Sequence, residues 1–278
     1  MSTVLATPSY VKYETVPGYF LQDLDSTKAT TFNFTQWERF ARQVWQLNEE
    51  SHYEVEYKVL FIGRHGEGYH NTAESYYDAQ LTPNGITQAQ AVNAFWAKQI
   101  TEEKIPTPQK FYTSPLSRCC ATAALTFTGL TLPASQPFIP EVKELLREWI
   151  IICPILQRII RLFTFEEGFQ EVDPLWNATF VETSSAQNER SRTVLDDIFM
   201  NDPSTYNSIT THSGEAASML SVLAVIPILV RAETVTGRPP FRTWQPWTMI
   251  STCAMPPPSP TPTTDDVKWS GARMMRIQ

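Results

Sequence analysis

Three short segments set a histidine or an arginine among small and turn-forming residues: Arg64-His65-Gly66, Ser114-Pro115-Leu116-Ser117-Arg118 and Thr211-His212-Ser213-Gly214. Imidazole can act as nucleophile or proton carrier near neutral pH without a large pKa change. Guanidinium offers a rigid fork of donors that matches phosphate oxygens. Two of each at one place point to phosphoryl chemistry. Gly66 has no side chain, so its backbone can pass close to His65 and accept the Nδ1–H, which leaves Nε2 bare to attack. Only four histidines occur, His52, His65, His70 and His212, so the candidates for imidazole chemistry can be taken one by one. His70 follows His65 at a spacing that suits neither helix nor strand, with no carboxylates completing a metal set, and reads as a loop residue. His52 carries no signal.

Stepping from the segments to their supports, each falls where a strand should end and a helix begin. The run Glu54–Gly63 becomes wholly apolar at Val59–Ile62, the pattern of a central strand buried on both faces. Residues 33–50 space Phe34, Trp37, Phe40, Ala41 and Val44 helically, with Asn33 or Thr35 as cap. From Thr82 a Pro-Asn-Gly start leads into a helix with Ile86, Ala89, Val92 and Phe95 or Trp96 on one stripe. Lys110–Ser114 reads as a strand and Ser117–Phe127 as a helix. Arg190–Phe199 reads as a helix, Ser208–Thr211 as a strand and Gly214–Val225 as a helix. Such alternation implies an α/β fold with a parallel sheet and ligand chemistry at the strand C-termini, where helix N-termini attract anions.

With 278 residues, 42% of them hydrophobic and 18% charged, the chain can bury a core, which excludes a disordered or disulfide-scaffold protein. Its net charge of −7 and lack of any basic block argue against a nucleic-acid partner. The four cysteines, Cys119, Cys120, Cys153 and Cys253, have no zinc-site spacing and fit a reduced compartment. The first residues lack a signal-peptide pattern, and the apolar stretch Trp149–Leu156 is far short of the roughly 20 residues needed to span a bilayer. A cytoplasmic or nuclear location without membrane association is expected. From Arg238 the chain turns Pro-rich and should be extended or disordered.

The segments RHGEGYHN, LTPNGITQA, SPLSRCCATA, KELLRE and THSGE, in this order, resemble the histidine phosphatase superfamily, in its phosphoglycerate-mutase-like branch, with fungal and plant cytosolic members most alike. The resemblance implies a three-layer α/β/α sandwich with a mainly parallel central sheet. It implies His65 as nucleophile, with Arg64, Arg118 and His212 clamping the phosphoryl oxygens and Asn71 lining the pocket. Glu148 of Leu146-Arg147-Glu148 takes the proton-donor role, with Glu144 and Glu141 as alternatives. No metal and no cofactor are implied, since these cations can neutralise the phosphoryl group. The activity implied is that of a phosphatase or mutase acting on a small phosphorylated substrate. A catalytically impaired anion-binding module and an accessory enzyme of fungal secondary metabolism are the other readings.

Three units are expected: an extension over 1–53 containing the amphipathic helix, a catalytic domain over 54–237, and the tail over 238–278. The sequence departs from the resemblance in two places. After Glu148 a polar segment gives way to the apolar run Trp149–Leu162, and a stretch is absent where Leu223-Ala224 meets Val225. An unpaired apolar run beside Glu148 would displace that carboxylate and invite aggregation.

Overall fold

The computed structural model describes residues 34–51, 55–72, 78–148, 163–170 and 182–223, and the strands Tyr13–Val16 and Met274–Ile277. The run Trp149–Leu162, the junction from Ala224 onward and the tail up to residue 273 lie outside the described residues, as does His52. In chain order the elements are β1 (Tyr13–Val16), α1 (Gln36–Glu50), β2 (Tyr57–Arg64), α2 (Pro83–Lys98), β3 (Lys110–Thr113), α3 (Ser117–Phe127), β4 (Glu141–Val142), β5 (Thr164–Phe165), α4 (Ser184–Asn201), β6 (Tyr206–Thr211), α5 (Ser213–Val222) and β7 (Met274–Ile277). Strand order is β1-β7-β2-β6-β3-β4-β5. The block β2-β6-β3-β4-β5 is parallel throughout, and β7 and β1 add to it antiparallel.

The apolar run of β2 is explained by its two faces. Leu60 and Ile62 join Ile209, Val194, Leu195, Ile198 and Met219 under α4 and α5. Val59 and Phe61 join Trp37, Phe40, Trp96, Phe111 and Phe127 under α1, α2 and α3. Alternation along a strand sends neighbours to opposite faces, so the run Val59–Ile62, covered on both sides, is apolar at every position. The result is a three-layer α/β/α sandwich with a mainly parallel sheet. Among the described residues, no helix is long and apolar enough to cross a membrane.

Helix ends follow local chemistry. Thr35 and Glu38 form a capping box for α1, and Thr82 caps α2, whose first residue is Pro83. The buried stripe of α2 starts at Gly85 and passes Ala89 to Trp96, while Ile86, expected on it, is exposed. The cause is the close approach of the chain after β2: a Cβ on Gly85 would lie 2.0 Å from Glu67 O, so this face of the first turn is covered by backbone. Helix α4 is longer than the expected Arg190–Phe199. Its first turns bury Gln187, Arg190 and Ser191 in polar contacts, which leave no apolar periodicity to read.

Candidate active site

Strands β2 and β6 are neighbours in register, with Arg64 opposite Thr211, and the His65 N–H donates to Thr211 O at 2.9 Å. The two histidines that follow these strands therefore meet, their ring centroids 5.0 Å apart. Strand β3 lies on the other side of β6, so the first turn of α3 brings Arg118 to the same edge. Asp78 holds that helix start by accepting the Ser117 N–H at 2.7 Å and the Ser117 hydroxyl.

His65 is 1% exposed. Its Nδ1 sits 2.6 Å from Gly66 O, which fixes Nδ1 as the protonated nitrogen, while the buried Nε2 has no hydrogen-bond partner among the described residues. Gly66 is needed for more than this contact. A Cβ there would lie 2.5 Å from Gly85 O, so the loop can rest on the start of α2 only if residue 66 is glycine. The Gly66 N–H donates to Thr122 Oγ1 at 3.0 Å, which ties the loop to α3 as well.

His212 is wholly buried. Arg118 donates to its Nδ1 at 3.2 Å, which makes Nδ1 an acceptor and leaves Nε2–H to donate to Ser114 Oγ at 2.9 Å. The ring is therefore neutral, and the 3.4 Å approach of Glu148 Oε2 to Nδ1 is a contact rather than an ion pair. Burial, then the charge of Arg118, holds both His65 and His212 well below the usual histidine range. Both are neutral at pH 7.

Glu148 follows a single 3₁₀ turn, Glu144–Leu146, rather than lying in a helix. Its Oε1 accepts the Gly214 N–H at the start of α5 at 3.1 Å. Although 28% of its side-chain surface is accessible, the crowding of its carboxyl raises its pKa against the pull of Arg118, the Gly214 N–H and Arg64. The alternatives Glu144 and Glu141 are engaged elsewhere, the first with Arg147 and the second with Lys110 and Lys143. Asn71 is exposed, and its Oδ1 accepts the Gly68 N–H at 3.0 Å, so it shapes the loop after His65. Cys119 and Cys120 are buried free thiols. Burial pushes Cys120 up to about 12 and Cys119 well above its ordinary value, so neither is a ready thiolate.

The sequence did not single out Arg190 or His70 for this site. Arg190 donates to Leu145 O at 2.6 Å and Arg147 O at 3.0 Å, and Thr211 Oγ1 to Leu146 O at 2.8 Å, so the peptide leading to Glu148 is held from two elements. His70 lies with its ring centroid 5.2 Å from that of His65. The signal for His70 was present in its closeness to His65 in a glycine-rich loop, but loop geometry cannot be read from periodicity.

His65, Glu148 and His212 each offer one ligand atom, all within 4.8 Å of one another, so the cluster has the dimensions of a metal site. Arg64 and Arg118 act on the same groups, and two fixed positive charges oppose a divalent cation and favour an anion. A parallel sheet with imidazoles and guanidiniums gathered at its C-terminal edge defines an anion-handling α/β protein. Residues 60–153 match the histidine phosphatase superfamily, branch 1. A fungal relative named "Probable phosphoglycerate mutase", from Arthroderma benhamiae, is 38% identical over 82% of this chain and 87% of its own length. "Phosphomutase-like protein 3" of Candida albicans is 28% identical over 92% of this chain and 91% of its own. Among solved structures, a mycobacterial glucosyl-3-phosphoglycerate phosphatase aligns with 62% of this chain and 82% of its own at 19% identity and a TM-score of 0.40. The chain belongs to the histidine phosphatase superfamily and is a phosphoryl-transfer enzyme of that superfamily.

Proposed function

We propose that the protein is a phosphomonoesterase, or a mutase, that acts on a small phosphorylated metabolite through a phosphohistidine at His65. The observation that carries this reading is the buried Nε2 of His65, left without a partner among the described residues while Nδ1 is anchored to Gly66 O. A nucleophile must keep its lone pair, and a ring pushed well below the usual histidine range keeps it at neutral pH. Nε2 attacks phosphorus as the ester P–O bond breaks. Glu148, whose carboxyl holds its proton more firmly than an exposed one, delivers that proton to the departing alkoxide. In hydrolysis, water then attacks the phosphohistidine, Glu148 takes its proton, and the P–N bond electrons return to His65. In a mutase, the hydroxyl of a bound product takes the place of water.

Positive charge does most of the catalytic work. A phosphoryl transition state spreads charge over three equatorial oxygens, and fixed donors in a dry site stabilise it without reorganisation. Arg64 and Arg118 fill that role here, and the neutral ring of His212 holds Arg118 in place by accepting from it at Nδ1. The experiment is hydrolysis of p-nitrophenyl phosphate by the purified chain, with acid-quench trapping of phosphohistidine. Turnover and trapped label are expected in the native protein and neither in His65→Ala; hydrolysis that survives His65→Ala would sink the mechanism.

A further inference from the structure

We propose that His70 is a direct ligand of the bound phosphoryl group, donating its Nδ1–H to one of the oxygens. This rests on the phosphohistidine reading and adds one group to the same site. The first support is position. Among the described residues the His65 ring has two imidazole neighbours, His212 at 5.0 Å and His70 at 5.2 Å between centroids. A group as near the nucleophile as His212 is within reach of what the nucleophile attacks.

The second support is an unmet hydrogen bond. His70 Nδ1 is buried and has no partner among the described residues. Buried polar atoms are nearly always paired, so each exception asks for a missing partner. Two further exceptions, His65 Nε2 and Arg118 Nε, belong to the same pocket. One tetrahedral anion can serve all three, its phosphorus facing the His65 lone pair and its oxygens accepting from Arg118 and His70.

The third support is that the loop is shaped to hold the ring there. Gly68 precedes the 3₁₀ turn Tyr69–Asn71, and a Cβ on it would lie 2.7 Å from both Nδ1 and Cε1 of His70. The turn is pinned by Tyr69 N–H to Gln80 O at 3.0 Å and by Gly68 N–H to Asn71 Oδ1 at 3.0 Å. Asn71 thus serves the pocket through His70.

The charged groups that act on His70 are Arg118 from α3 and Arg64 from β2, with His65 and His212 coupled to it as neutral rings. Burial and these cations bring it down to about 4, so it is uncharged before ligand binds. A phosphoryl dianion reverses the local field, and His70 takes up a proton as the anion arrives.

The test is calorimetric titration of inorganic phosphate into the full-length protein at pH 6, in two buffers of different ionisation enthalpy, alongside p-nitrophenyl phosphate kinetics. Native protein is compared with His70→Ala and with Gly68→Ala, which displaces the ring without removing it. Both variants are expected to bind phosphate about tenfold more weakly, as for loss of one hydrogen bond to a charged group. KM should rise more than kcat falls, and proton uptake on binding should drop. Unchanged phosphate affinity in folded His70→Ala overturns the proposal, as does weakened affinity with proton uptake intact, which marks the ring as packing only. Phosphate binding by the native protein without trapped phosphohistidine would remove the proposed reaction and leave this contact standing.

Discussion

Arg118 and Arg190 are each 7% exposed, yet their surroundings are opposite. Arg190 forks onto Glu182 at 2.8 and 2.9 Å, reaches Glu215 at 3.1 Å, and donates to two backbone carbonyls. Arg118 has no carboxylate within ion-pair distance among the described residues, gives one bond to a neutral imidazole, and keeps Nε unpaired. Burying a guanidinium costs several kcal/mol unless charge and hydrogen bonds offset it. For Arg190 the protein supplies that compensation, and the residue stabilises the native state and fixes the approach to Glu148. For Arg118 it is withheld, which is the state in which an incoming anion gains most. The difference between the two separates an arginine whose charge is met within the fold from one whose charge is not, as the proposed phosphoryl-binding role of Arg118 requires.

The largest effect expected from breaking this contrast is on stability. Arg190→Met strands the buried Glu182 and Glu215, and urea unfolding should show a loss of about 3–5 kcal/mol. Arg118→Met is expected to leave the unfolding midpoint unchanged or raised, while kcat/KM for a phosphate ester falls about 10²–10³-fold, the usual penalty for one oxyanion donor. If Arg118→Met destabilises as much as Arg190→Met, the two arginines are alike and the distinction fails. Glu148→Gln should lower kcat about 10²-fold on an alkyl phosphate, whose leaving group needs a proton, and much less on p-nitrophenyl phosphate. Equal losses on both substrates would mean that Glu148 acts through position alone.

The smallest effect is in the pH dependence of unfolding. His65, His70 and His212 are all depressed in the fold, so below about pH 6.5 the unfolded chain takes up protons that the native one does not. Their contribution makes stability fall on acidification. Glu215, pushed up to about 7 by burial against the pull of Arg190, has the opposite sign, its contribution being lost as pH rises from about 4.3 towards 7. Glu148 is raised too and adds to that opposing slope. Three imidazoles outweigh the two carboxyls around pH 6, so urea unfolding should show higher stability at pH 6.5 than at pH 5.5, with the slope flattened by saturating phosphate. A slope of the reverse sign would mean that the pocket histidines are already charged in the native state.

What the sequence disclosed and what it hid follow the same division. Apolar strands such as Val59–Ile62, and the helix starts beyond them, show themselves because burial on two faces leaves a compositional trace. From these alone, Arg64, His65, Arg118 and His212 fall at one sheet edge. The polar interior is silent: Gln187, Arg190 and Ser191 look like a solvated helix start, yet they are buried through partners far along the chain. Strands β4 and β5 are two residues each and have no period to detect. His70 is hidden because its proximity to His65 is set by the room left at Gly68, a relation of space that spacing in sequence does not encode.

The pairing of β2 with β6 also bears on how the enzyme is made. Arg64 and Thr211 meet in register although most of the domain is synthesised between them, so no partial chain ending before β6 holds the anion pocket. A ligand that binds the finished pocket alone shifts the folding equilibrium by mass action. Phosphate in a refolding or cell-free translation mixture should therefore raise the yield of full-length protein and do nothing for a truncation at residue 205, making the ligand a reporter of completed synthesis.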